Sequence, residues 1–213
     1  MKEIEKIIDK LNNYDQKDIV KMMEKFTEEE KEKLAEQVEN LDLDMVMNLY
    51  KNAKNIPAID ENKIEHISYT DLYALSEEKF KEYKEIGSKV IRDNKYAVVT
   101  MAGGQGTRLG HKGPKGTFKI DTVNGEKYLF QIIVESLERA KEKYGVVIPW
   151  YVMTSEDNNA QTVSFLEEHN YFGYPKDKVK FFKQGTVPMV KEDGNIVVDS
   201  NRLIKEASDG NGS

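Results

Sequence analysis

The feature that most constrains this 213-residue chain is a short apolar run that stops at a pair of glycines. Tyr96-Ala97-Val98-Val99-Thr100-Met101 is apolar and β-branched, and Ala102-Gly103-Gly104 ends it abruptly. Such a run predicts a buried strand. The segment that follows is richer in glycine than a strand-to-helix turn requires: residues 101–116 read MAGGQGTRLGHKGPKG and hold six of the chain's 14 glycines. Glycine permits positive φ and close approach of a ligand to the backbone, and successive amides can cradle an anion. Arg108 and Lys115 add fixed positive charge to the same loop, a combination suited to phosphate oxygens. Glycine density and cations together favour a phosphate loop over a plain solvated one.

The rest of the C-terminal part alternates strand and helix. Leu129–Tyr144 follows helical period, with Phe130, Ile133, Val134 and Leu137 inward and Gly145 at the stop. Val147–Met153 reads as a strand, with Pro149 confined to its start or edge because it lacks a ladder donor. Trp150 within it reads as core. Glu156–His169 is predicted as a helix burying Val163, Phe165 and Leu166, and Val179–Phe182 as a third strand. Met189–Val198 reads as a hairpin on Asp193-Gly194. Strands spaced by single helices imply right-handed βαβ units, a mainly parallel sheet and an α/β, Rossmann-like fold. Ligands in such sheets bind beyond the carboxyl ends of the strands. One rim would then hold Gly103–Lys115, Thr154-Ser155 and Gln184-Gly185.

The N-terminal part differs in composition. Residues 1–94 carry 16 basic and 23 acidic side chains, a net charge of −7, whereas residues 95–213 carry 16 and 15, a net of +1. This shift suggests two domains, 1–94 and 95–213. Ile4, Ile7, Ile8 and Leu11, then Ile19, Met22, Met23 and Phe26, recur at helical spacing. Thr27 and Glu30 fit a capping box, opening a helix that buries Leu34, Val38 and Leu41. Asn55-Ile56-Pro57 breaks the series, and Ser76 opens another helix with Phe80, Tyr83, Ile86 and Val90 on one face. Met22, Met23, Met45 and Met47 read as packing filler.

Composition narrows the function. A net charge of −6 argues against a nucleic-acid binder, which needs clustered Lys and Arg. The absence of cysteine removes disulfides, thiolate zinc sites and a cysteine nucleophile, and three scattered histidines leave little for an imidazole metal site. With neither a membrane-length apolar run nor a leader-like N-terminus, the chain is expected to be soluble and cytoplasmic. His111 reads as an exposed loop residue.

The loop fits neither standard phosphate motif. A Walker A loop needs Gly-Lys-Ser/Thr after Gly and four residues, and the dinucleotide fingerprint from Gly104 meets Leu109 where its third glycine belongs. The whole string instead resembles the sugar-nucleotide pyrophosphorylases, most closely the UDP-sugar (UDP-N-acetylhexosamine and UDP-glucose) pyrophosphorylase family. Leu129-Phe130-Gln131, Ile148–Ser155, Phe181-Phe182-Lys183-Gln184-Gly185 and Asp209-Gly210-Asn211-Gly212 support the match at suitable intervals. The resemblance covers roughly residues 94–213, preceded by a helical region.

The resemblance implies a nucleotide-diphosphosugar transferase sheet and a uridylyltransferase, with UTP and a sugar 1-phosphate as substrates. It places Met101, Ala102, Gly103 and Gly104 against uracil and ribose, Arg108 and Lys115 along the triphosphate, Gln184 on the uracil edge, Gly210 near uracil and Asn211 near the sugar. The sugar phosphate is already an ionised nucleophile, so catalysis would rest on in-line positioning and charge neutralisation by Arg108, Lys115 and Mg²⁺. The family's magnesium ligand is expected beyond residue 213, and no carboxylate of this chain matches it. The chain is therefore expected to be an N-terminal portion with no significant transferase activity of its own. Ala102, Gln105 and Asp209-Gly210-Asn211-Gly212 lean toward the N-acetylhexosamine branch, and His111–Lys115 toward the UDP-glucose branch. A non-catalytic nucleotide-binding or helical interaction module is the alternative.

Overall fold

The computed structural model describes residues 2–55 and 60–210. They form two compact units: Met1–Glu65 with Thr186–Asp209, and His66–Gly185 with Gly210–Ser213. Neither boundary falls at the compositional shift near Asn94. No helix among the described residues is long and apolar enough to cross a membrane.

In the first unit, α1 (Lys2–Asn13), α2 (Lys17–Met23) and α3 (Glu28–Asn40) follow the predicted periodicity, and α4 (Leu43–Lys54), capped by Asp42, comes after them. Leu11, Ile19, Met23, Leu34, Val38 and Leu43 are its buried core. The capping box forms as expected: Thr27 Oγ1 accepts from Glu30 N, and Glu30 Oε2 accepts from Thr27 N. Lys10 reaches across to the other end of α3, donating to Val38 O at 2.7 Å and Leu41 O at 2.9 Å. The break read at Ile56-Pro57 lies outside the described residues.

The second unit opens with α5 (Glu77–Arg92), capped by Ser76 Oγ, which accepts from Lys79 N. Its apolar line is not a core face: Phe80, Tyr83 and Ile86 are exposed. Next come β1 (Val98–Met101), a hairpin of β2 (Lys119–Thr122) and β3 (Gly125–Tyr128), α6 (Leu129–Tyr144), β4 (Trp150–Thr154), α7 (Asn159–Glu168) and β5 (Val179–Lys183). Strands β1, β4 and β5 lie side by side in that order, both pairs parallel. Gly145 ends α6 in the left-handed conformation, as its position after the periodic run required. Pro149 falls just before β4, where its missing donor costs no ladder bond.

One sheet face is packed. Phe130, Val134 and Leu137 of α6 and Leu166 of α7 bury Trp150, Val152 and Val179, and Trp150 Nε1 donates to Thr100 Oγ1 at 2.8 Å. The other face carries Val99, Met101, Tyr151 and Phe182, all exposed. The expectation of a buried strand at 96–101 is corrected accordingly: β1 alternates half-buried and exposed residues. Helix α7 starts at Asn159 rather than Glu156, because residues 155–158 form a turn held by Asn158 and Asn159 N–H bonds to Ser155 O. Within α7 the fully buried line is Thr162 and Leu166, with Val163 and Phe165 only partly covered.

The chain then contributes β6 (Thr186–Pro188) and β7 (Glu206–Ser208), an antiparallel pair in the first unit. The hairpin expected at 189–198 is reduced to a single bridge, Val190 with Ile196, around Gly194 at φ +90. Gln16 explains why this stretch groups with the helices. Its Nε2 donates to Gly194 O and its Oε1 accepts from Ile196 N. Gln37 treats Ile204 likewise, and Ile196 and Ile204 enter the helical core.

Candidate functional site

The glycine-rich segment leaves the carboxyl end of β1 and folds back on itself. Gly106 N donates to Gly113 O at 2.8 Å, Lys115 N to Gly104 O at 3.1 Å, and Gln105 and Pro114 form an isolated bridge. Two short 3-10 turns, Thr107–Leu109 and Lys115–Thr117, carry the cations. Gly110 closes the first at φ +69, and Gly113 has φ +152. Gly106 is required for another reason: a Cβ there would stand 2.8 Å from His111 Cβ.

His111 closes the loop and is half-buried rather than exposed, which corrects the expectation. Its Nε2 lies 2.7 Å from Thr117 Oγ1, and that hydroxyl donates to Pro114 O at 2.8 Å. The single hydroxyl proton is thus used on Pro114, so Nε2 of His111 must be the donor to Thr117. The ring also meets Phe118 edge-on at 5.6 Å. A histidine–threonine clasp therefore fixes the turn that carries Lys115.

Arg108 and Lys115 are exposed, and among the described residues neither enters a salt bridge. The loop thus presents two exposed cations that make no ion pair among the described residues. Beneath the loop, Thr100, Ala102, Gly104, Lys115, Leu129 and Phe130 help line a small depression of about 180 Å³.

The other strand ends meet the loop. Gln184 follows β5, and its N–H donates to Thr154 O at 2.8 Å. Its side-chain amide rests on Gly103: a Cβ built on Gly103 would lie 2.6 Å from Gln184 Oε1 and 3.1 Å from Nε2. Thr154, fully buried, donates to Asn159 Oδ1 at 2.7 Å. Asn158, also fully buried, donates from Nδ2 to Ala102 O and accepts at Oδ1 from Ser155 N, each at 2.9 Å.

The sequence-derived candidates are therefore only partly assembled. Gly103 and Gln184 are in contact, Gly104 and Lys115 are bonded through the backbone, and Arg108 lies on the intervening turn. Ala102 is buried at the strand end, while the Met101 side chain points from the exposed sheet face. Gly210 has φ +106 and groups with this unit, and Asn211 lies outside the described residues. Sequence reading passed over Asn158 and Thr117. Asn158 had one visible signal, its place just before an apolar-periodic helix.

Three comparisons bear on this arrangement. The family model for UTP–glucose-1-phosphate uridylyltransferase matches residues 43–212. UDP-N-acetylglucosamine diphosphorylase 2 of Arabidopsis thaliana is 33% identical over 97% of this chain and 44% of its own length. UDP-N-acetylglucosamine pyrophosphorylase of Saccharomyces cerevisiae is 38% identical over 76% of this chain and 34% of its own length. The crystal structure of the uridine diphosphate N-acetylglucosamine pyrophosphorylase from Trypanosoma brucei, in complex with inhibitor, superposes with a TM-score of 0.71 at 29% identity. It covers 100% of this chain and 44% of that one. The chain thus spans less than half the length of these relatives. A model match over most of the sequence, centred on the strands and loop described above, places the chain in the UTP–glucose-1-phosphate uridylyltransferase family.

Proposed function

We propose that this chain carries the UTP-binding apparatus of a uridylyltransferase. In the reaction, a phosphate oxygen of a sugar 1-phosphate attacks the α-phosphorus of UTP. The bond to the β-phosphate breaks, giving UDP-sugar and pyrophosphate. The observation that carries this reading is the contact of Gln184 with Gly103 at the mouth of a loop bearing two unpaired cations. Gln184 offers a donor and an acceptor side by side, complementary to the amide edge of uracil. Gly103 leaves room for a base to approach the backbone. Arg108 and Lys115 supply charge for the α-phosphate and the departing pyrophosphate, the principal demand of phosphoryl-type transfer. The names of the curated relatives favour N-acetylglucosamine 1-phosphate over glucose 1-phosphate as acceptor.

Family chemistry calls for Mg²⁺, but no group of three or more His, Asp or Glu side chains converges among the described residues. Mg²⁺ at such centres is commonly held by one or two carboxylates together with substrate phosphates, and no carboxylate of this chain is assigned to it.

The test is calorimetry of the chain with UTP, ATP and NAD. UTP should bind most tightly. An equal or stronger response to ATP or NAD would overturn the reading.

A further inference from the structure

The carboxyl ends of β1 and β4 depart from the parallel ladder in a way that isolates one side chain. The ladder runs regularly through Val98 N to Pro149 O and Ala102 N to Met153 O, the latter at 2.7 Å. In a parallel pair each residue bonded through N–H to one partner carbonyl accepts at its own carbonyl from the residue two further along. The next rung would thus run from Ser155 N to Ala102 O. Both groups instead bond the Asn158 carboxamide: Ser155 N donates to Oδ1, and Nδ2 donates to Ala102 O.

The amide of Asn158 is therefore inserted into the ladder as a substitute peptide group. Its orientation follows from its partners, since Ser155 N can only donate and Ala102 O can only accept. The side chain is fully buried with both ends bonded, so the insertion leaves no polar group unsatisfied. The carboxamide thus stands between the two strand ends at the point where Gly103-Gly104 departs. Gly103 then lies against Gln184, whose own strand end is tied to β4 through Thr154 O.

We infer that Asn158 is a positioning residue for nucleobase recognition: it sets the splay of β1 from β4 and thereby the placement of Gly103 against Gln184. This inference rests on the uridine-binding reading above. The Asn158 side chain bonds Ala102 and Ser155, whereas the turn that carries Lys115 is held by the His111–Thr117 clasp and by Lys115 N on Gly104 O.

Two probes separate the base from the phosphates, namely UTP and inorganic tripolyphosphate, measured by calorimetry on the full chain. In Asn158→Ser the one-atom hydroxyl bridge is too short to hold the same splay. UTP affinity should fall about tenfold, the worth of one well-placed hydrogen bond, while tripolyphosphate affinity stays put. An equal loss for both ligands, or no change in their ratio, would show that Asn158 serves only the fold.

Asn158→Asp supplies the second readout should the serine variant fold poorly. A neutral carboxyl can accept from Ser155 N and donate to Ala102 O, whereas a carboxylate faces the Ala102 carbonyl without a proton. The UTP-to-tripolyphosphate ratio, normalised at each pH to the unmodified chain, should recover between pH 8 and pH 5 in this variant. A flat ratio would overturn the inference. An unmodified chain that binds UTP no better than tripolyphosphate would overturn the uridine reading itself, and the role of Asn158 with it.

Discussion

A Cβ on Gly103 would lie 2.6 Å from Gln184 Oε1 and 2.9 Å from its Cδ. The two residues are far apart in sequence yet the backbone of one forms the resting surface of the other's amide. Gly103 has no positive φ, so its lack of a side chain answers to this contact rather than to backbone conformation.

Gly103→Ala should therefore fold. The atoms in the way belong to the far end of a flexible side chain, and Gln184 can swing aside. The cost should fall on uridine binding, about tenfold in affinity for one displaced hydrogen-bonding amide, with stability changed by less than about 1 kcal/mol. Gln184→Ala should lose as much, and the double variant little more than either alone, because the two substitutions remove one feature. Full additivity in the calorimetric cycle would mean that the glycine and the glutamine act separately.

The cations predict a different pattern. Arg108 and Lys115 stand on short turns closed by their own backbone bonds, so alanine at either position should leave the loop intact. Each charge-assisted contact to phosphate is worth about 1.5–3 kcal/mol. Arg108→Ala and Lys115→Ala should therefore weaken UTP while leaving uridine binding nearly unchanged. Parallel loss for uridine and UTP would show that the cations shape the strand end instead of meeting phosphate.

Local chemistry made much of this fold legible, and non-local chemistry hid the rest. The Thr27–Glu30 box and the Gly145 stop of α6 lie within a few residues of what they terminate, so their pattern alone locates them. Asn124-Gly125 carries an equally local hairpin signal for β2 and β3 that periodicity overlooks, because those strands are short and exposed. Periodicity also finds the common face of Phe80, Tyr83 and Ile86 on α5 but not whether anything covers it. Asn158 bonds a carbonyl 56 residues away, and Gln16 an amide 180 residues away. No window of sequence contains either pair. In the site the loop itself was readable, whereas the clasp and the inserted amide that hold it were not.

Gly116 gives a stability test within the second unit. A Cβ there would stand 2.1 Å from Phe130 Cε2 and 2.2 Å from Cζ, and Phe130 is only 1% exposed. The ring is enclosed by Trp150 and Phe165 and has little room to retreat. Gly116→Ala should destabilise by about 1–3 kcal/mol through overpacking, seen as a lower urea midpoint. An unchanged midpoint would show that the loop shifts freely over α6.

Gln16 gives the corresponding test in the first unit. It is 2% exposed, and its amide satisfies Ile196 N and Gly194 O while also donating to Tyr14 O. Gln16→Leu keeps the bulk but leaves buried backbone groups without partners, at about 1–3 kcal/mol each. The Ile196 amide should lose hydrogen-exchange protection first. Retained protection there would mean that another group holds the 190–196 turn.

The last expectation concerns pH. Lys127 of β3 donates to Glu135 Oε2 at 2.7 Å, and Gln131 donates to Oε1 at 3.1 Å, fastening the hairpin to α6. The Lys127 hydrogen bond, against some desolvation, holds the Glu135 carboxyl below the ordinary glutamate range. A depressed folded value means that the folded chain favours the carboxylate more than the unfolded chain does. The stability this contributes is complete above the unfolded value of about 4.3, and is lost as pH falls through the lower folded value. Glu135→Gln keeps the shape and the Gln131 contact but removes the charge. The variant should be less stable than the parent at neutral pH, and the gap should close as the buffer is taken from about pH 6 to about pH 3. Urea titrations of both proteins across that range decide the matter. A gap that stays constant to the lowest pH would mean that Lys127 does not distinguish the charged from the neutral carboxyl, and that packing alone joins the hairpin to α6.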